Sequence, residues 1–98
     1  MIFHVTTKAN WEEAVKNGEY TTPSLATEGF IHNSTEIQVA GVLQRYYAGQ
    51  KDLVLLHIAE DKLIAELKYE LAPSVNEMFP HIFGAINLDA IIEVEKIA

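Results

Sequence analysis

The chain contains no cysteine, which removes disulfides, thiolate nucleophiles and cysteinyl metal ligands together. Three prolines and five glycines are too few for a Pro/Gly-rich linker, and the chain shows no repeat or low-complexity segment. Basic residues are scarce: seven lysines and arginines stand against fourteen acidic residues, for a net charge of -7. Those cations, Lys8, Lys16, Arg45, Lys51, Lys62, Lys68 and Lys96, are scattered along the chain, so no basic stripe exists to bind the phosphates of duplex nucleic acid. A small anion is not excluded, because a local helix terminus can override the global sign. No apolar run approaches the roughly 18 residues of a membrane span, and "MIFHVTTKANWEE" lacks the basic-then-apolar order of a secretory leader. The expectation is a soluble cytoplasmic protein with no membrane partner.

What is present is an ordinary globular composition, 49% hydrophobic and 21% charged over 98 residues, which suits one domain spanning residues 1–98 with one real core. The β-branched and aromatic run Ile2 to Thr6 reads as a strand, with Ile2, His4 and Thr6 on one face and Phe3 and Val5 on the other. Asn10 and Glu13 form a capping-box pair and Gly18 suits a C-terminal cap, which predicts a helix over about 10–17. Residues 19–28 read as a short extended piece followed by an irregular turn, and Phe30 to His32 as a brief strand. Asn33 and Ser34 are cap residues before Val39, Val42, Leu43, Tyr46 and Tyr47, which recur at helical spacing until Gly49. The apolar "LVLLHI" at 53–58 predicts a central strand buried on both faces. Residues 60–66 fit either a turn or a short helix. Leu67 to Leu71 alternates like an edge strand, Pro73 to Pro80 reads as a loop, and Ile91 to Ile97 closes the chain as a strand after a turn near Leu88-Asp89. Helices early and strands late make the fold class α+β.

Four histidines hold the chemical interest. His32, placed before a predicted helix start, would meet free backbone N–H groups and the positive end of a helix dipole, where a phosphate or carboxylate can sit. Folding alone equally explains Asn33, Ser34 and Thr35 as caps. His81 lies in "FPHIFG", framed by Pro80, two aromatics and Gly84. Such framing fits a site, or an aromatic plug over the core. His4 shares a strand face with Thr6, and His57 ends an apolar strand with no polar partner nearby in sequence and reads as structural. Glu12, Glu13, Glu93 and Glu95 read as solvated, whereas Glu28 and Glu77 are the acidic residues nearest the candidate sites. No G-x-S-x-G, Walker loop, H-E-x-x-H or C-x-x-C is present, and the histidine spacing does not define a metal site.

Together, "IFHVTT", "PSLATEGFIHNST", "DLVLLHI" and "FPHIFGAINLDAI" resemble, across nearly the whole chain and in order, a small bacterial family known as domain of unknown function 952. The resemblance implies an ADP-ribosyltransferase-like split β-sheet with two main helices. In polymerase-type transferases a first-strand histidine holds the NAD ribose, and His4 is similar to it. "GFIHNS" resembles, at Gly29 and in its strand-to-helix context, a glycine-led segment that those enzymes carry. Two departures stand out: the tyrosine expected on the nicotinamide is replaced by Ile31 or His32, and the catalytic glutamate has no secure equivalent, Glu77 falling near its place by counting while "FPHIFG" more naturally puts His81 in that region.

The resulting expectation is a histidine-lined cleft for an NAD-derived, nucleotide or phosphoribose ligand, with an NAD-type molecule as the implied cofactor or substrate. His32 and His81 would be the catalytic pair of a transferase or hydrolase, since imidazole exchanges protons near neutral pH. His4, Thr6, Gly29 and Ser34 would bind the ligand. The alternatives are a non-catalytic small-ligand module and a histidine metal site. The geometric expectation is that His32 faces His4 and His81 across one cleft, at the mouth of a helix.

Overall fold

In the computed structural model, which describes residues 1–98, the chain runs β1 (Ile2–Thr7), α1 (Lys8–Asn17), β2 (Glu19–Tyr20), α2 (Pro23–Thr27), β3 (Ile31–His32) and α3 (Val39–Tyr46). It continues through β4 (Leu53–Ile58), β5 (Leu67–Ala72), β6 (Glu77–Ile82), β7 (Ile86–Asn87) and β8 (Ile91–Lys96), with 3₁₀ turns at Glu60–Lys62 and Leu88–Ala90. All strand pairs are antiparallel and fall into three groups, β1-β4-β8, β3-β6-β5 and β2-β7. The α+β class is as expected.

The central strand explains the layering. β4 is apolar at alternate positions on both sides, so it must be covered twice. Leu56 and Ile58 join Ile2, Tyr20, Ile31, Ile82 and Ile86 in the larger core, on the side of the other sheets. Leu53 and Leu55 join Phe3 and Val5 beneath Val39, Val42 and Leu43 of α3. β1 follows the same alternation, which leaves His4 and Thr6 on the inner side, buried with Ile2. An isolated bridge between Phe3 and Ser34 joins β1 to the chain just after β3.

Several local expectations are corrected. α1 starts earlier than the Asn10 cap because Thr7, in extended conformation, accepts the Asn10 amide N–H on its side-chain oxygen. Gly18 does close the helix, at φ 84°. The turn expected before Gly29 contains α2, entered through Pro23 at its first turn. The helix expected from Asn33 and Ser34 begins instead at Val39. The Asn33 N–H donates to the Pro80 carbonyl at 3.0 Å and the Ser34 N–H to the Phe3 carbonyl at 2.7 Å, so those amides belong to strand pairing. No helix N-terminus stands at His32, and the anion site argued from one is withdrawn. The loop expected up to Pro80 is a hairpin: Ala72 pairs with Glu77, and Asn76 turns the chain at φ 54°. Pro80 is tolerated inside β6 because its carbonyl side faces the two-residue β3, leaving the β5 ladder intact.

Truncating the doubly covered strand should be costly. Leu56→Ala is expected to lower unfolding free energy by about 2–5 kcal/mol in urea denaturation. Val94→Ala, on the partly exposed cross-strand neighbour of Leu56, should cost under about 1 kcal/mol.

Candidate functional site

The strand alternation that turns His4 inward places it where β1, β2 and β3 converge. Its Nδ1 lies 2.5 Å from the His32 carbonyl and its Nε2 lies 2.8 Å from the Tyr20 hydroxyl, which in turn lies 2.8 Å from Thr6 Oγ1. The directions of these bonds follow from proton counting. A carbonyl only accepts, so Nδ1 carries the proton and donates to His32. Burial lowers the His4 pKa to about 4, so the ring is neutral and Nε2 must accept. The single Tyr20 proton therefore goes to His4, and the Thr6 hydroxyl donates to Tyr20. Burial also raises Tyr20 to about 12, keeping the phenol protonated in this role. Both ring nitrogens of His4 are thus satisfied within the protein, and no free nitrogen remains to hold a ribose.

His32 and His81 are directly opposed in the β3-β6 pairing, with ring centroids 5.3 Å apart. The His81 ring lies flat on Phe30, at 4.0 Å and 11°, while Phe30 also meets the His32 ring at its edge. Each imidazole has its own carboxylate: His81 Nδ1 lies 2.7 Å from Glu70, and His32 Nε2 lies 3.1 Å from Glu28. Because an ionised carboxylate only accepts, these nitrogens are the donors. In the neutral rings, His81 Nε2 and His32 Nδ1 are left as bases. His81 is buried, whereas the His32 side chain is more than half exposed.

The three histidines border one cleft of about 720 Å³, whose wall also includes Thr6, Tyr20, Glu28, Asn33 and Ser34. Hydroxyl groups of Thr22, Ser24 and Ser74 and the rings of Tyr46 and Tyr47 face it as well, and none of the lining residues is a lysine or arginine. The Asn33 side-chain nitrogen donates to the Ile31 carbonyl, while its Oδ1 is buried without a partner.

Of the residues singled out from sequence, His4, Thr6, His32, Ser34 and His81 come together at this cleft. Gly29 does not border it. Its φ of 88° serves the turn after α2, where its N–H reaches the Ser24 and Leu25 carbonyls. Glu77 also lies outside the lining and receives a hydrogen bond from Gln38 at 3.3 Å, so the carboxylate in the cleft is Glu28. Sequence reasoning missed Tyr20 and Glu70. For Glu70 a signal existed, because the alternation of the edge strand puts it on the face shared with Lys68, and hence with His81 across the hairpin.

The protein is therefore an antiparallel α+β domain whose meeting sheets form a cleft flanked by two histidine–glutamate pairs. Residues 5–94 match the family described as "Protein of unknown function (DUF952)", and the chain belongs to that family. Its fold is similar to the crystal structure of protein CC0527 from Caulobacter crescentus, at 26% identity and a TM-score of 0.85, covering 95% of this chain and 82% of that one. The solution structure of CC0527 is similar at 25% identity and a TM-score of 0.83, over 97% of this chain and 82% of that one. No curated protein matches the chain.

His4 makes stability depend on pH with a defined sign. Its folded pKa, about 4, lies below the unfolded value of 6.5, so the unfolded chain binds more protons between these limits. The contribution is fully present above about pH 6.5 and falls as pH drops toward 4, by up to about 3 kcal/mol. Urea denaturation from pH 7 to 4 should show this loss, and His4→Gln should flatten the profile across that window.

Proposed function

We propose that the cleft binds a small ribosyl ligand, a nucleoside or the nucleoside end of an NAD-derived molecule, and that His81 and His32 act on it as an acid–base pair. The observation that carries this reading is the pair itself: two imidazoles 5.3 Å apart on the wall of one cleft, each backed by a carboxylate. The carboxylate fixes which nitrogen is protonated and how the ring is aimed, as the acidic member of a hydrolytic triad does.

The lining selects the ligand chemistry. Threonine, serine and asparagine side chains suit sugar hydroxyls, and Tyr46 and Tyr47 offer aromatic surface to a base. With no lysine or arginine in the wall, a phosphate gains no counter-charge inside, so phosphates are expected to project outward. A water or acceptor hydroxyl would lose its proton to one imidazole as its oxygen bonds to the sugar carbon. The other imidazole, acting in its doubly protonated form, would give the proton on its cleft-facing nitrogen to the departing base as the glycosidic bond breaks, so that one ring gains the proton the other loses. Such acid–base assistance contributes typically about 10²–10⁴-fold. His4 takes no direct part and positions the strand that carries His32. Transferase or hydrolase chemistry on a ribosyl bond is thus the preferred reading over a module that only binds.

Thermal melting with adenosine, ADP-ribose, NAD and inorganic phosphate, followed by product analysis, checks the proposal. Adenosine, ADP-ribose and NAD should raise Tm and phosphate alone should not. Conversion should fall about 100-fold or more in His81→Ala and His32→Ala. Binding without product would leave a non-catalytic module, and no shift with any of the four would remove the reading.

A further inference from the structure

The outer face of the β1-β4-β8 sheet carries α3 over Phe3, Val5, Leu53 and Leu55, and then continues past the helix to His57. There the pairing places Glu93 opposite His57 and Glu95 opposite Leu55, so both carboxylates stand on the same face as the imidazole. His57 Nε2 lies 2.8 Å from Glu95, its Nδ1 lies 3.9 Å from Glu93, and one ligand atom from each of the three residues falls within 4.8 Å of the others. None of the three borders the cleft.

We infer that His57, Glu93 and Glu95 form a site for a divalent transition cation of the zinc type. One imidazole nitrogen and two carboxylate oxygens are a donor set that suits this borderline ion. In a tetrahedral zinc site, bonds of about 2.0–2.2 Å put ligand atoms about 3.3 Å apart. A metal takes one imidazole nitrogen, and Glu95 and Glu93 lie nearest different ones, so one glutamate must change rotamer to complete the set. The imidazole is the fixed member. Its strand is central, and the Phe3 ring meets it edge-on at 4.9 Å and 73°. The glutamates are the adjustable members, with side chains about half exposed or more.

Two further features favour a cation here. Neither glutamate forms an ion pair with a lysine or arginine, and the contacts of both carboxylates are to His57. A dication would balance both same-face carboxylates at once. The strand that carries them, β8, lies at the edge of its sheet with most of its residues exposed, so a bound cation would be reachable from solvent. A metal joining Glu93 and Glu95 to His57 would tie β8 to the sheet centre by side chains as well as backbone. Three protein ligands leave a fourth position to solvent, on the open surface beyond α3.

Calorimetric titration of the tag-free protein with Zn²⁺ tests the site, read together with Tm and hydrogen exchange of the β8 amides. One equivalent should bind, raise Tm and slow exchange in β8. His57→Gln and Glu95→Gln should each weaken binding about tenfold or more, whereas His32→Ala and His81→Ala should leave it unchanged. Because Glu95 is a surface residue, Glu95→Gln keeps the test independent of any folding defect in the His57 variant. Absence of Zn²⁺ uptake, binding that survives both His57→Gln and Glu95→Gln, or binding lost only in the cleft variants would each overturn the assignment.

Discussion

The buried imidazole of His4 is the interaction on which the cleft depends. A neutral ring inside the core is tolerated only when both nitrogens are paired, because an unmade hydrogen bond there costs about 1–3 kcal/mol. The two partners come from different parts of the fold, the His32 carbonyl from β3 and the Tyr20 hydroxyl from β2. One residue of β1 therefore holds two other strands in fixed positions. The adjacent bridge between Phe3 and Ser34 secures the same junction through the backbone. His32 can present its ring to the cleft because its carbonyl is held from behind.

The second determinant is the register of the β3-β6-β5 sheet. Opposing His32 and His81 across an antiparallel pair brings the rings together, and extending the pairing to β5 brings Glu70 onto the same face. Phe30 fixes the ring plane of His81 by stacking, and Glu28 reaches His32 from the end of α2. Each histidine thus has one nitrogen committed and one available. The wall of the cleft carries hydroxyls, aromatic faces and imidazole nitrogens, with Glu28 as its carboxylate and no lysine or arginine.

Much of the scaffold is written in residue patterns, and the exceptions have physical causes. β4 is readable because an apolar run of that length admits a strand covered on both sides, and the end of α1 because Gly18 can take a left-handed conformation. The start of α3 is not readable from Asn33 and Ser34. Cap residues supply hydrogen-bonding groups that strand pairing can claim instead: Phe3 bridges Ser34, and the Pro80 carbonyl takes the Asn33 N–H. Pro80 suggests a loop, and only the shortness of β3 lets it sit within β6. The histidines of the cleft stand out in sequence through their framing. Their partners do not, since Tyr20 and Glu70 acquire meaning only when strands distant in the chain are laid beside each other.

The alternation of β1 carries this logic furthest. Its inward residues, His4 and Thr6, serve the junction and the cleft, while Phe3 and Val5 support α3 on the opposite side. Phe3 belongs to both regions: it borders the cleft, and its ring edge rests against His57. Phe3 thus links the wall of the cleft to the histidine that faces the two β8 carboxylates. A six-residue strand of period two is enough to do this, because every residue that stabilises one side of the sheet fixes the position of its neighbour on the other.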